Sequence, residues 1–319
     1  PIFRAEVVKY IMDHMTTLIM DDELIVGTPT NKYRGANLHP EFQSSTEFYL
    51  AELDQFAQRT KDPYDISDED KALIRETLPY WKGKAMQDMA KTALPAGILE
   101  RIHDDIITVG LTNGVSGETT CDHEKLLRVG LKGYMEECQR NIDALLPHSQ
   151  LDQEKIDFWR ACIIQCQGLI DYAHRMGDEA ARQAAACSDE KRKQELLTVA
   201  ENCRVVPENP PQNFWQALQL VWFVHVYFHI EVCTTANGFG RFDQYMWPYY
   251  KKDVLEDKTL TADQALELLE CFYLKCCEVF EVRDKWYATS FAGYPMWELL
   301  VVGGQTPDGK DASNALSYV

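Results

Sequence analysis

The spacing of hydrophobic residues in the first part of the chain predicts several helices and one short strand. Apolar positions recur at helical spacing over residues 3–19. Further helices are expected at about 46–60 and 67–78, and Ser67 is placed to cap the second of them. Residues 24–27 form a continuous apolar run ended by glycine, which predicts a short buried strand.

Two long amphipathic segments follow, at residues 153–186 and 188–205, and they predict a helical hairpin with charged residues on its outer face. Near the end of the chain, residues 299–302 have the continuous apolar character of a strand covered on both sides. A Pro-Asp-Gly turn comes shortly after it, at 305–309. Helices therefore dominate and strands are few but buried, a pattern that suits an α/β fold with strands inside a shell of helices.

Two capping motifs mark helix starts in the second half of the chain. Asn213 is the expected N-cap of the most apolar helix, with Gln216 placed as in a capping box. Thr261 and Gln264 form a second capping box, and the helix that they start is expected to run to about Arg283.

Composition limits the kinds of partner. The chain has 319 residues, 45% of them hydrophobic, enough for one large or two ordinary domains. Its formal charge is −18 with no basic cluster, so neither nucleic acid nor an anionic membrane surface is an expected partner. The apolar run 214–230 contains glutamine and histidine and predicts a buried helix in place of a membrane span. No signal peptide is visible, and a cytoplasmic location is expected.

The ten cysteines indicate thiols in a reducing compartment more than a disulfide framework. Cys162 and Cys166 have the first spacing of a radical-SAM cluster motif, but Leu169 stands where the third cysteine would be. They are then expected to be small buried apolar residues. Cys276 and Cys277 point to opposite faces of a helix, so we expect none of these four to bind a metal.

His225 and His229 lie one helical turn apart in an apolar segment. The glutamate of the zinc motif HExxH is absent between them, which favours a buried, hydrogen-bonded pair over a zinc site. The sequence therefore predicts no metal site.

Residues 238–240 form a Gly-Phe-Gly triplet. A lone GxG without a surrounding βαβ pattern is weak evidence for nucleotide binding. Close backbone approach at a pocket wall is the better interpretation, with Arg241 and Asp243 expected to form a structural ion pair beneath it.

Several segments resemble the pyruvate formate-lyase-like glycyl radical enzymes, in particular the branch of diol dehydratases, choline lyase and isethionate lyase. The GRFDQYMWPYY sequence at 240–250 resembles them most, and the FAGYP, GG and DGxDAxN elements of that family have counterparts in the same order. These further segments are 290–297, 301–305 and 308–314, with 21–27 and 78–82 near the N-terminus.

The resemblance implies the fold. It predicts that residues 1–319 are a partial pyruvate formate-lyase-like domain, the helix-rich N-terminal portion of a ten-stranded α/β barrel with the helical shell and the first barrel strands. The family's Gly-Cys-Val/Leu-Glu loop and its C-terminal glycyl radical loop are absent from this sequence. We therefore expect the N-terminal part of a longer enzyme, with no catalytic residue of its own, inert alone and hard to keep soluble.

The resemblance also implies six substrate-binding residues. They are Glu118, Thr234, Thr235, Asn237, Phe291 and Trp297. Glu118 occupies the histidine position of the family's Gly-His-x-x-x-Asp-Tyr element, where a carboxylate would accept hydrogen bonds from a substrate. Trp297 would limit the pocket volume and exclude water. A helix-capping or ion-paired Glu118 and a merely buried Trp297 are the alternatives.

The implied activity is that of an oxygen-sensitive, homodimeric cytoplasmic lyase of anaerobic metabolism. A radical-SAM activating enzyme would install the glycyl radical in the missing C-terminal part, and no cofactor would be bound by this chain directly. A cysteine thiyl radical would take a substrate hydrogen, and a carbon–heteroatom bond would break. No Lys or Arg lies between Glu118 and Lys125, which favours a small hydroxylated or cationic substrate over a sulfonate. A glycyl radical decarboxylase, a formate acetyltransferase-type lyase and a non-catalytic scaffold subunit are the alternatives.

Overall fold

The computed structural model describes residues 1–42, 46–95, 97–103, 119–145, 149–232, 236–282, 285–293, 296 and 298–319. In this part of the chain most of the regular structure is helical. The helices are α1 (Ile2–His14), α2 (Thr46–Glu52), α3 (Asp68–Thr77), α4 (Met86–Thr92), α5 (Ile98–His103), α6 (His123–Ala144), α7 (Gln150–Ala186), α8 (Glu190–Val205), α9 (Phe214–Glu231), α10 (Phe242–Tyr250), α11 (Ala262–Cys276) and α12 (Lys285–Phe291). The strands are β1 (Ala36–Asn37), β2 (Gly240–Arg241), β3 (Phe280–Glu281) and β4 (Leu300–Val301).

Helix α9 lies at the centre of the core. It is apolar on nearly all sides, and Phe214, Trp222 and Phe223 are completely buried in it. A helix that is hydrophobic all round must be covered all round. Helices α1, α6, α7, α8, α10 and α11 contact it, and this accounts for the helix-rich shell that the sequence predicts.

The predicted helical hairpin is confirmed as α7 and α8, which pack along each other, and α1 lies against α7. Gly168 permits this approach, because a β-carbon there would lie 2.6 Å from Cε of Met12. Lys9 of α1 forms an ion pair with Asp171 of α7 at 2.7 Å.

The capping predictions are confirmed, with two differences. Ser67 and Asn213 accept hydrogen bonds as N-caps, and Thr261 and Gln264 form a complete capping box. The side chain of Gln216, however, accepts from the backbone N–H of Gln212 at 2.9 Å instead of from Asn213. Helix α11 also ends at Cys276, earlier than expected, because the chain then turns into β3.

The predicted strand at residues 24–27 is wrong, although the segment is buried. Side chains of α9 bind its backbone in place of a neighbouring strand. Gln219 accepts from the N–H of Val26 at 2.9 Å and donates to its carbonyl at 2.8 Å. The indoles of Trp215 and Trp222 each donate to a carbonyl of the segment at 2.8 Å. Side-chain hydrogen bonds thus satisfy the backbone groups that a sheet would otherwise pair.

The four described strands form two parallel pairs, β1 with β3 and β2 with β4. Around β4, Leu299, Val301 and Val302 are 68%, 49% and 48% exposed. The strand expected at residues 299–302 is therefore present but shorter, and it is not covered on both sides by the described residues.

Among the described residues, no helix combines the length and the apolar character needed to cross a membrane. Helix α9 instead contributes its apolar surface to the core of the protein.

We predict that Gln219→Leu lowers the free energy of unfolding by about 2–5 kcal/mol, because each buried backbone group left unpaired costs about 1–3 kcal/mol. Gln219 is 1% exposed, so water cannot replace the lost bonds. Urea unfolding of the 319-residue chain measures the effect. Gln150→Leu on the exposed start of α7 is the control and should change stability by about 0.5 kcal/mol or less. Equal midpoints for both variants would contradict the role of Gln219.

Candidate functional site

Three segments of the chain lie side by side and run parallel: residues 119–121, 236–241 and 298–301. The N–H of Gly238 donates to the carbonyl of Thr119 at 3.0 Å, and Gly238 forms a parallel β-bridge with Thr120. The N–H of Phe239 donates to the carbonyl of Leu299 at 2.8 Å. Because the segments are parallel, their N-terminal ends lie at one edge, which we call the strand edge.

The glycines of the Gly-Phe-Gly triplet permit this close approach. A β-carbon on Gly240, whose φ is +63°, would lie 3.0 Å from Cγ2 of Thr120. One on Gly238 would lie 3.2 Å from Oγ1 of the same residue. The prediction of close backbone approach is therefore confirmed.

One of the six predicted substrate-binding side chains, that of Asn237, lies within the described part of the chain. Glu118, Thr234, Thr235 and Trp297 lie outside the described residues, as does the side chain of Phe291 at the end of α12. Their neighbours are informative. Glu118 directly precedes Thr119, the two threonines precede Ala236, and Trp297 precedes Glu298, so all three stretches lead into the strand edge.

Asn237 is the one predicted substrate-binding side chain whose surroundings are described. It is 2% exposed, and its Nδ2 has no hydrogen-bond partner within the described structure. Two other buried polar atoms near the strand edge share that property, Nδ1 of His123 and Oε2 of Glu298. Buried polar atoms normally have a partner, so these three atoms stand out among the described residues.

A polar cluster of His225, His229 and Glu298 lies between α9 and the strand edge. The two histidines share a face of α9 because they are four residues apart. Their Nε2 atoms are 3.2 Å apart, and Oε1 of Glu298 is 2.8 Å from the first and 3.5 Å from the second. All three side chains are only 4% exposed.

The sequence-based prediction for the two histidines was a hydrogen-bonded core pair, and the structure shows them bonded to one another and to a carboxylate that the prediction did not include. Glu298 lies 73 residues from His225. The available signal was a single acidic residue within the apolar stretch 296–302.

Burial and mutual contact set the electrostatics of this cluster. Burial alone would raise the pKa of Glu298, but the charge and hydrogen bonds of the neighbouring histidines lower that pKa to about 2. Burial lowers the pKa of His229 to about 4, and that of His123 likewise to about 4. Burial, and then the charge of Glu298, raise the pKa of the Cys276 thiol well above its ordinary value. The cluster therefore contains one ionised carboxylate beside a thiol that stays protonated.

Aromatic contacts connect the strand edge to the core. The ring of Phe239 lies nearly parallel to those of His225 and His123, with centroids 4.6 and 6.4 Å away. Its other neighbour is Phe272 of α11, at 5.1 Å. Phe239 thus packs against side chains of three helices, α6, α9 and α11.

Arg241 and Asp243 do not form the expected ion pair. Arg241 donates to the carbonyl of Gly303 at 2.9 Å, and Asp243 accepts from the N–H of the same glycine at 2.7 Å. Asp243 also accepts from the hydroxyl of Ser317, while its own carbonyl accepts from the Asn314 amide at 3.0 Å. The side chains of Arg241 and Asp243 therefore both bind the GG segment at Gly303, and the Asn314 side chain joins the DGxDAxN segment to the backbone of α10.

Within the described part of the chain, His225, His229 and Glu298 are the one group of three or more potential metal ligands with mutually close atoms, all within 4.8 Å of one another. The cysteines expected to bind no metal are all described: Cys162, Cys166 and Cys276 are partly buried, and Cys277 is exposed. Burial raises the pKa of the Cys166 thiol to about 12 and that of Cys162 to about 11, which disfavours the thiolate that metals require.

Comparison with known proteins gives a consistent result. The family model described as pyruvate formate lyase-like matches residues 1–319. The isethionate sulfite-lyase of Oleidesulfovibrio alaskensis is 36% identical over 99% of this chain and 39% of its own length. A solved structure concerned with 1,2-propanediol dehydration in Roseburia inulinivorans has a TM-score of 0.94 and 35% identity, covering 99% of this chain and 39% of that one. The glycerol-bound B12-independent glycerol dehydratase from Clostridium butyricum has a TM-score of 0.93 and 36% identity, covering 99% and 40%. The chain thus spans about two fifths of the length of these relatives.

We predict that Asp243→Ala lowers the free energy of unfolding by about 2–4 kcal/mol, since a hydrogen bond to a charged group contributes about 1.5–3 kcal/mol and Asp243 is completely buried. Thermal and urea unfolding of the 319-residue chain measure it. The control is Asp311→Ala, which removes an exposed carboxylate that accepts from the Ser313 N–H at 2.9 Å. A loss for Asp243→Ala no larger than that for the control would show that the contacts to Gly303 carry little energy.

Proposed function

The chain belongs to the pyruvate formate lyase-like family, and from this we propose that it forms one wall of the substrate pocket in a glycyl radical lyase. The substrate would be a small polar molecule, hydroxylated or cationic, that loses a group through cleavage of a carbon–heteroatom bond. The rest of the barrel, including the catalytic cysteine and the radical glycine, would come from polypeptide beyond this sequence. A radical-SAM enzyme would be the activating partner, and the assembled enzyme would be a homodimer.

The observation that carries this proposal is the convergence of three parallel segments on the strand edge. Each segment begins directly after a stretch that the family resemblance assigns to the pocket, ending at Glu118, Thr235 and Trp297. A carboxylate, two hydroxyls and an indole would then surround one small space. Mostly apolar walls with a few convergent polar groups are typical of small-molecule sites.

The chain's own side chains would bind and orient the substrate. Glu118 would accept a hydrogen bond from a hydroxyl or ammonium group, and the unpartnered Nδ2 of Asn237 would donate one. Trp297 would exclude water from reactive intermediates. The glycyl radical, once installed, would supply the hydrogen-abstracting cysteine radical.

The uncovered face of β4 supports the partial-barrel part of the proposal. Its exposed residues Leu299, Val301 and Val302 are apolar, and such a patch is typical of a surface that another part of a protein covers. The adjoining strands of a ten-stranded barrel would provide that cover.

The relatives differ in the substrates of their names, which include isethionate, 1,2-propanediol and glycerol. Isethionate carries a sulfonate, which would require nearby positive charge. Around Glu118 the sequence has no Lys or Arg before Lys125, and this is why we favour a polyol or an amino alcohol.

We predict that the complete polypeptide, activated anaerobically, develops the electron paramagnetic resonance signal of a glycyl radical and turns over a diol, glycerol or an amino alcohol. The 319-residue chain under the same conditions should show neither. Turnover of isethionate alone would contradict the substrate class, and turnover by the 319-residue chain would contradict the division of the site.

In the complete enzyme, Glu118→Gln should lower kcat/KM by roughly 10- to 150-fold, because a charge-assisted hydrogen bond contributes about 1.5–3 kcal/mol. Trp297→Ala should enlarge the pocket and relax the selectivity toward bulkier substrates. Glu124→Gln, an exposed position in the first turn of α6, is the matched control and should leave kcat/KM unchanged. Equal kcat/KM for Glu118→Gln and the control would remove Glu118 from the pocket.

A further inference from the structure

We propose that His225, His229 and Glu298 bind one divalent first-row transition-metal ion of the Zn²⁺ or Fe²⁺ class, beside the strand edge. This goes beyond the lyase function and does not depend on it. The sequence alone favoured a metal-free pair because it showed two histidines and no third ligand. The tertiary structure adds Glu298 as that third ligand.

The distances between the three atoms suit a shared metal ion. Ligand atoms bound tetrahedrally at about 2.0–2.1 Å from one ion lie about 3.3 Å from each other. The observed separations are 2.8 Å between Nε2 of His225 and Oε1 of Glu298, 3.2 Å between the two Nε2 atoms, and 3.5 Å for the remaining pair. Small side-chain shifts would bring all three to coordination distance.

Hydrogen bonding satisfies this triangle unevenly. Each Nε2 has either a proton or a lone pair, never both. With protons on both, the two N–H groups converge on Oε1 of Glu298, and the one from His229 lies 3.5 Å away, at the long limit of a hydrogen bond. With a proton on His225 alone, the lone pair of His229 shares that proton with the carboxylate at 3.2 Å. A cation at the centre would be favourable for all three lone pairs at once.

The buried negative charge of Glu298 also favours a bound cation. Glu298 is a buried carboxylate, and its ion-pair partners among the described residues are His225 and His229, with no Lys or Arg. A buried charge is costly without compensation. Two imidazoles and a carboxylate are ligands that Zn²⁺ and Fe²⁺ accept, and the unpartnered Oε2 of Glu298 is available to complete the coordination.

The surroundings hold the ligands in place. Asn37 and His39 both contact the carbonyl of His229, at 2.9 and 3.1 Å, and so position the last turn of α9. A small cleft lined by His39 and Met296 lies against His229. The parallel stacking of Phe239 on His225 restrains the other ring.

The test is a titration of the chelator-treated complete polypeptide with Co²⁺, followed by visible absorption, together with elemental analysis after Zn²⁺ loading and gel filtration. We expect about one ion per chain, with the d–d bands of nitrogen and oxygen ligation. His225→Ala, His229→Ala and Glu298→Gln should each weaken binding by at least about tenfold, and Zn²⁺ should raise the Tm of the parent protein but not that of these three variants. His174→Ala, on a half-exposed histidine of α7, should bind as the parent chain does.

The parent chain decides the question even where a variant fails to fold. If it binds no Co²⁺ at micromolar concentration, the cluster is a metal-free hydrogen-bonded triad and the proposal fails. Binding that persists in folded His225→Ala and His229→Ala proteins, or a sulfur-to-cobalt charge-transfer band, would place the ion at other ligands and equally overturn it. No substrate or activating enzyme is present, so the result is separate from that of the lyase assays.

Discussion

The hydrogen bonds from α9 to the backbone of residues 24–27 are the interaction on which the rest of the structure depends. The polar side chains of a helix that is buried on all sides cannot form hydrogen bonds with water. The same is true of the backbone N–H and C=O groups of a buried extended segment. The Gln219 side chain bonds to both the N–H and the carbonyl of Val26, so side chain and backbone satisfy each other. The hydroxyl of Tyr172 in α7 likewise bonds to the N–H and the carbonyl of Thr28, each at 3.2 Å. Glu23, just before this segment, forms an ion pair with the buried Lys275 of α11 at 2.6 Å. This ion pair connects the segment to α11.

The same central helix connects the core to the site. Toward its N-terminal end α9 carries the side chains that bind residues 24–27, and toward its C-terminal end it carries His225 and His229. The strand edge is held from the opposite direction by Asp243, which binds Gly303 and Ser317. Several motifs that carry the family resemblance thus form hydrogen bonds between segments that are far apart in the sequence. Through these bonds the strand edge is held between α9 and the segment around Gly303.

Much of the helical architecture was predictable because its causes are local. Amphipathic spacing and capping side chains act within one or two turns, so α3, α7, α8 and the starts of α9 and α11 follow from the sequence. The failures have non-local causes. The apolar run at 24–27 was taken for a strand because burial of a backbone segment does not reveal its hydrogen-bond partner, here a glutamine 193 residues away.

The sequence by itself determined the family, the helical shell, the capped helix starts and the residue types available for a pocket, since these depend on motif order and local periodicity. Only the tertiary structure decided which groups meet. In the folded chain Arg241 and Asp243 do not pair with each other, and both bind the backbone of Gly303. The fold also places Glu298 against the two histidines of α9. Groups far apart in the chain become partners only when the elements that carry them pack together, as α9 packs on residues 24–27 and as β2 pairs with β4.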